Sequence, residues 1–369
     1  MPHHAGFVWL VFPIVQTIIG RTVAAGLTAL AVAATLNGCA WNRGLSDGTP
    51  PGGSGGVVNL APVPGSALAS ALSLVPDMPN ATVMFTDWSM LGHHGGTNPD
   101  TFPLASQLLY EDDQLQKDVG IRSTSADWEI DMWQPRHSPT IVLHFNQHTQ
   151  LAGLVGRLTR FGYHANGSIF TGPFDKQRLW TYGLHNIGIA ADGHLFVGGP
   201  DATMVRSVLA ASGDPLGSLG HAGSVTPLLA MAALKVGHVA TASVVVGSGA
   251  CVTLEELLRG RGSPMMLANL RKQFKGTFTH PQAEITAIGD PAGTTALDAQ
   301  TFPDQAAAQA NQAGRSAAVK VFNLGDPNEI RVTGSSVTGR VLSFTLTAGK
   351  PHGIEHRVLY NTLGVDVCM

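Results

Sequence analysis

The sequence predicts an α+β protein. It comprises two similar ββαββα-like units, mostly antiparallel sheets with helices packed on one face, after an N-terminal signal or anchor helix and a flexible tether. Three observations predict it. Short runs alternate apolar and polar residues with period two, as strands do. Between them lie runs with apolar residues three and four apart, as in helices packed on a sheet. The order of these elements recurs in the second half of the chain, which suggests an internal repeat.

Taken in order, residues 1–39 read as a leader. Arg21 precedes the apolar run Thr28-Ala-Leu-Ala-Val-Ala-Ala-Thr-Leu-Asn-Gly-Cys39, which ends in small residues and a cysteine. That is the layout of a bacterial lipoprotein signal, in which Cys39 would be lipidated, for example with palmitate, and become the N-terminus. Asn37 stands where Ala, Ser or Thr is usual, and a further apolar stretch, Ala5 to Gly20, precedes Arg21. A start near Val15 would restore a short basic flank. The alternative is an uncleaved membrane helix, for which the two apolar halves together are long enough.

Residues 40–66 form the tether. Gly48-Thr-Pro-Pro-Gly-Gly-Ser-Gly-Gly56 is flexible and buries no core. Its Gly52-Gly-Ser54-Gly-Gly56 matches the nucleophile pattern G-x-S-x-G but lacks the flanking strand and helix that such a turn requires.

The first unit is expected over 67–215. A short helix at Ala67–Val75 ends at Pro76, and Ala81–Phe85 is a strand. The glycines of 92–99 mark a loop, and 103–119 reads as helix with Leu104, Leu108 and Leu115 inward. In Asp127-Trp-Glu-Ile-Asp-Met-Trp133, Trp128, Ile130 and Met132 alternate with acids. Thr140–Phe145 is the next strand. Leu151, Leu154, Leu158 and Phe161 then follow helical spacing up to a capping Gly162. After a strand near 168–171 comes a hairpin over Ile187–Val197, with Asp192-Gly193 as a type I′ turn. Asp201 opens a helix burying Met204, Val205, Val208 and Leu209.

The second unit, 216–369, repeats the order. Its strands are Val239–Val246, Ala283–Ile288 and Thr294–Phe302. A helix opened by Asp304, a hairpin over Ile330–Leu346 and a terminal helix from Gly353 to Leu363 complete it.

Composition narrows the function. The chain has 369 residues, 44% hydrophobic and 13% charged, and a net charge of −3. Nucleic acid is excluded as a partner, because it requires clustered Lys and Arg. With Cys39 assigned to lipid, Cys251 and Cys368 remain as an even pair in an oxidising compartment. A disulfide is expected, the alternative being two buried thiols.

Catalytic patterns are incomplete. His352-Gly-Ile-Glu355-His356 matches the H-x-x-E-H zinc pattern. No glutamate follows it as a third ligand, and Pro351 and Gly353 mark a helix start. His93 and His94, in a glycine-rich loop with Asp87 or Asp100 nearby, are the candidate metal ligands. No serine has the context of a nucleophile, and Gly247-Ser-Gly249 is too short for a phosphate loop. No cofactor is expected. Phe85-Thr-Asp-Trp-Ser89 suggests a binding lip formed by Asp87, Trp88 and Trp128, since tryptophan offers a large amphipathic surface.

With Cys39, Phe85-Thr-Asp-Trp88, Asp127-Trp-Glu-Ile130 and the closing Cys368 in view, the whole chain resembles exported lipoproteins of actinobacteria. The resemblance implies a place at the outer face of the cell membrane and carries over no catalytic residues. The expected role is non-enzymatic binding of an envelope protein, a cell-wall component or a small molecule. A metal-assisted hydrolase and a carrier of apolar ligands or lipids are the alternatives.

Overall fold

The computed structural model describes residues 66–92, 108–135, 138–146, 151, 153–254, 264–274, 276–322, 330–359, 363 and 365–368. The leader, Cys39, the tether, Leu104 and the candidate ligands His93 and His94 lie outside the described residues.

The helices are α1 (Ala67–Leu72), α2 (Asp112–Val119), α3 (Leu154–Phe161), α4 (Trp180–Gly183), α5 (Ala202–Ala211), α6 (Thr226–Lys235), α7 (Pro264–Gln273), α8 (Gln305–Phe322) and α9 (Gly353–Leu359). The strands of the first half are β1 (Thr82–Asp87), β2 (Trp128–Trp133), β3 (Thr140–His144), β4 (His164–Asn166), β5 (Ile169–Thr171), β6 (Asn186–Ile189) and β7 (Leu195–Gly199). Those of the second are β8 (Thr241–Val246), β9 (Val252–Thr253), β10 (Ala283–Ile288), β11 (Thr295–Thr301), β12 (Ile330–Thr338), β13 (Val341–Ala348) and β14 (Val367–Cys368). Among the described residues, no helix is long and apolar enough to cross a membrane.

The class is α+β, built on a large antiparallel sheet. Its twelve strands run in the order β12-β13-β11-β10-β8-β1-β2-β3-β7-β6-β5-β4. Strands from both halves therefore share one sheet, joined where β1 pairs antiparallel with β8, Phe85 opposite Ala242. Read outward from that seam, the order is β1-β2-β3-β7-β6-β5-β4 on one side and β8-β10-β11-β13-β12 on the other. Each side opens with a three-strand meander followed by a hairpin whose second strand returns to pair with the meander's last strand; on the first side β5 and β4 extend the sheet further.

Helices cover both faces, which corrects the expectation of one. Side chains alternate along a strand, so β3 shows the division directly. Val142 packs in a core with Val83, Ile130, Val244 and Ile285, beneath Leu72 of α1, Val205 of α5 and Leu228 of α6. Its neighbours Ile141 and Leu143 face the other way and pack with Leu115 of α2, Leu154 and Leu158 of α3 and Trp180. Further along that second face, Leu342, Phe344 and Leu346 pack under Ala308 and Val319 of α8 and Ile354 of α9. The one-face expectation missed α6 and did not follow both sides of each strand.

The middle of the second face is polar yet buried. Cross-strand pairing aligns Thr86 with Glu129, Ser243 with Thr286, and Thr286 with Asp298, and all of these are buried. The alternating acids of β2 would face water in a half-exposed strand, but here Glu129 is 1% and Asp131 4% exposed.

Local signals hold at several caps. Asp201 accepts from the Thr203 amide at 2.7 Å, and Gly162 ends α3 in the left-handed region at φ 101°. The β6–β7 connection differs from a type I′ turn. That turn requires positive φ at both central residues, and of the pair only Gly193 has it, at 72°. Five residues connect the strands, with the Gly193 amide bonded to the Ala190 carbonyl at 2.9 Å. The helix expected from 103 to 119 forms only from Asp112, preceded by a tight turn over Leu109–Glu111, within the described residues.

Candidate functional sites

Strand pairing gathers the expected binding residues at one end of β1, β2 and β3, where Asp87 lies opposite Trp128 and Trp128 opposite His144. Asp87 accepts from Ser89 Oγ at 2.5 Å and from the Met90 amide at 3.1 Å, which closes the turn after β1. Trp88 is buried and donates its indole N–H to Glu129 Oε2 at 2.9 Å. Trp128 is 6% exposed and stacks on the His144 ring at 4.9 Å. All three are buried rather than on a lip, and the two tryptophans pack in different cores, Trp128 with Ile130 and Val142 on one face and Trp88 with Ile141 and Leu143 on the other. His144 at this end is partly exposed, and its buried Nδ1 lies 3.3 Å from Asp127 Oδ2. The distance suits an ion pair, but hydrogen-bond alignment is lacking. Cross-strand pairing makes this contact across a loop, so sequence spacing did not reveal it.

A second concentration of charge lies where α8 covers β10 and β11. Register sets Glu284 beside Gln300 and Thr286 beside Asp298. Thr286 Oγ1 donates to Asp298 Oδ2 at 3.0 Å, and Gln300 Nε2 donates to the Val365 carbonyl at 3.0 Å. From α8, the fully buried Arg315 donates to the Thr279 carbonyl at 2.6 Å, to Asn311 Oδ1 at 3.3 Å and to the Val365 carbonyl.

Burial dominates the ionisation of this group, because a low-dielectric interior disfavours charge. It holds Glu284 well above the usual carboxylate range, helped by repulsion from Asp298 and Asp366. It pushes Asp298 up to about 7. It also lowers Arg315, an effect opposed by Glu284, Asp366 and Asp298. Protonating part of this acid set leaves the network close to neutral around one guanidinium, the arrangement a buried polar cluster requires. These groups hold α8 and the C-terminal segment to the sheet.

The H-x-x-E-H match falls at the start of α9. His352 Nδ1 is 3.4 Å from Glu355 Oε1, and Glu355 is buried, which raises its pKa. The carboxylate lies against Gly293, where a Cβ would overlap it. The His356 side chain lies outside the described residues.

Cys251 and Cys368 come together as expected, with Cα atoms 5.7 Å apart and 117 residues between them in sequence. The spacing is within the range for a disulfide. The parallel pair β9–β14, with Val252 opposite Val367, brings them there. His280 joins them, its ring nitrogen and the two sulfurs all lying within 4.8 Å of one another. Sequence reasoning missed this histidine because the three residues come from distant segments without motif spacing.

Two concave surfaces are found among the described residues. A cleft of about 220 Å3 is lined by Met78, Met132, Trp133, Gln134, Asp201 and Met204, among others. A wider, open groove of about 470 Å3 runs along β4 and β5, past His164, Asn166, Thr171 and Pro173. Comparison with family models, with curated proteins and with solved structures finds no match.

Proposed function

We propose that the chain is an exported envelope protein whose folded part acts by binding. It is held at the outer face of the cell membrane through Cys39 or through an uncleaved N-terminal helix. The leader layout and the pairing of Cys251 with Cys368 support export. The shared order of the five strands nearest the β1–β8 seam on either side supports two related units, 67–215 and 216–369.

The observation that carries the binding reading is the chemistry of the smaller cleft. Three thioethers, Met78, Met132 and Met204, and the indole-bearing Trp133 line it beside the amide of Gln134 and the hydroxyls of Ser138 and Thr140. Methionine is polarizable and adjusts to irregular partners, while the polar groups orient what enters. At about 220 Å3 the cleft suits one apolar side chain of a protein or peptide rather than a drug-sized ligand.

Photo-crosslinking tests this on the full chain in nanodiscs, using short leucyl peptides that carry a diazirine. Adducts on Met78, Met132 or Met204 that disappear in Met204→Glu are expected. Adducts confined to other regions, no adducts at saturating peptide, or cleavage of the peptide would reject the reading.

A further inference from the structure

We propose that Cys251, His280 and Cys368, in the dithiol state, form a binding site for a zinc-class divalent cation, and that the disulfide excludes it. Tetrahedral zinc holds sulfur at about 2.3 Å and imidazole nitrogen at about 2.0–2.1 Å, which sets neighbouring ligand atoms roughly 3.5–3.8 Å apart. The three candidate atoms already lie within 4.8 Å of one another, so small side-chain movements close the set.

The surroundings suit such a site. Both sulfurs are buried and His280 is exposed, so a cation reaches the site from the His280 side and keeps a fourth position for water. Two thiolates neutralise the divalent charge, which a partly buried site requires. Arg315 Nη2 lies 3.5 Å from Cys368 Sγ and donates toward it, as outer-shell donors do to metal-bound thiolates. The protonated thiol has its own acceptor in the Thr279 carbonyl, 3.7 Å away. The ligands come from the start of β9, the segment before β10 and the chain's last strand, so the metal would tie the C-terminus to the sheet as the disulfide does.

The two states differ in redox balance. Bridge formation takes two thiols to one S–S bond and passes two electrons and two protons to a partner disulfide, which becomes two thiols. Cation binding to the same thiols releases two protons and transfers no electrons. The states therefore compete for the same sulfurs, and redox poise selects between them.

The test uses the full chain carrying Cys39→Ala, which leaves Cys251 and Cys368 as its only cysteines. Reduced anaerobically with a phosphine, it is titrated with Co2+ and then with Zn2+. Expected are one ion per chain, a thiolate-to-cobalt charge-transfer band displaced by zinc, and no uptake by the oxidised protein. Cys251→Ser and Cys368→Ser abolish the band. His280→Ala, at an exposed position that leaves the fold intact, weakens zinc binding at least ~10-fold. No cobalt–thiolate band in the reduced chain would overturn the proposal, as would equal uptake by the oxidised chain or undiminished affinity in His280→Ala.

Discussion

Replacing Asp298 by asparagine is expected to stabilise the protein, more so as pH rises. Asp298 is fully buried, and its carboxyl is pushed from an ordinary 3.8 to about 7, chiefly by loss of solvation. Its folded pKa exceeds its unfolded one, so between those values the folded chain binds more protons than the unfolded chain. Stability therefore falls as pH rises through that window and levels off above about 7. At about 1.4 kcal/mol per pKa unit, burying this group costs about 2 kcal/mol near pH 5, where it is neutral in the folded chain and ionised in the unfolded one, and about 4 kcal/mol near pH 8, where it is ionised in both.

Asparagine stays neutral and keeps one acceptor for Thr286 Oγ1, now bonded to Oδ2 at 3.0 Å. Imperfect replacement of the second oxygen offsets about 1 kcal/mol of the gain. The net expectation for Asp298→Asn is roughly 1 kcal/mol near pH 5 and roughly 3 kcal/mol near pH 8. Urea unfolding followed by tryptophan fluorescence at both pH values measures it. Equal destabilisation at both would refute the reasoning, because Asp298 would then be a stabilising anion held by Arg315.

Four further outcomes follow from the same structure. Trp88→Phe removes the buried indole bond to Glu129 and should lower unfolding free energy by about 1–3 kcal/mol in chemical denaturation. Gly293→Ala sets a methyl against the Glu355 carboxylate at φ +61°; a loss of about 1–3 kcal/mol is expected in the same assay. Phe344→Ala empties a fully buried position under α8 and should cost about 3–5 kcal/mol. Cys39→Ala should move the protein from the membrane to the soluble fraction, and unchanged retention would show that the N-terminal segment anchors as a helix.

Local physics made much of the fold legible in the sequence. The strand at Trp128–Trp133 follows from alternation, and the helices opened by Asp201 and Asp304 from capping chemistry. These features need only neighbours within a few residues. Alternation alone did not show that Glu129 and Asp131 of β2 are both buried. A strand pattern cannot show what covers its second face.

The sequence by itself determined the class and many of the main elements, because each depends on period or capping. Only the tertiary structure decided that strands of both halves share one sheet through β1 and β8, and that helices cover both its faces. It also brought His280 to the two cysteines and Arg315 to Glu284, Asp298 and Asp366. Those groupings join residues far apart in the chain. They form only once the backbone has paired, so no local spacing encodes them.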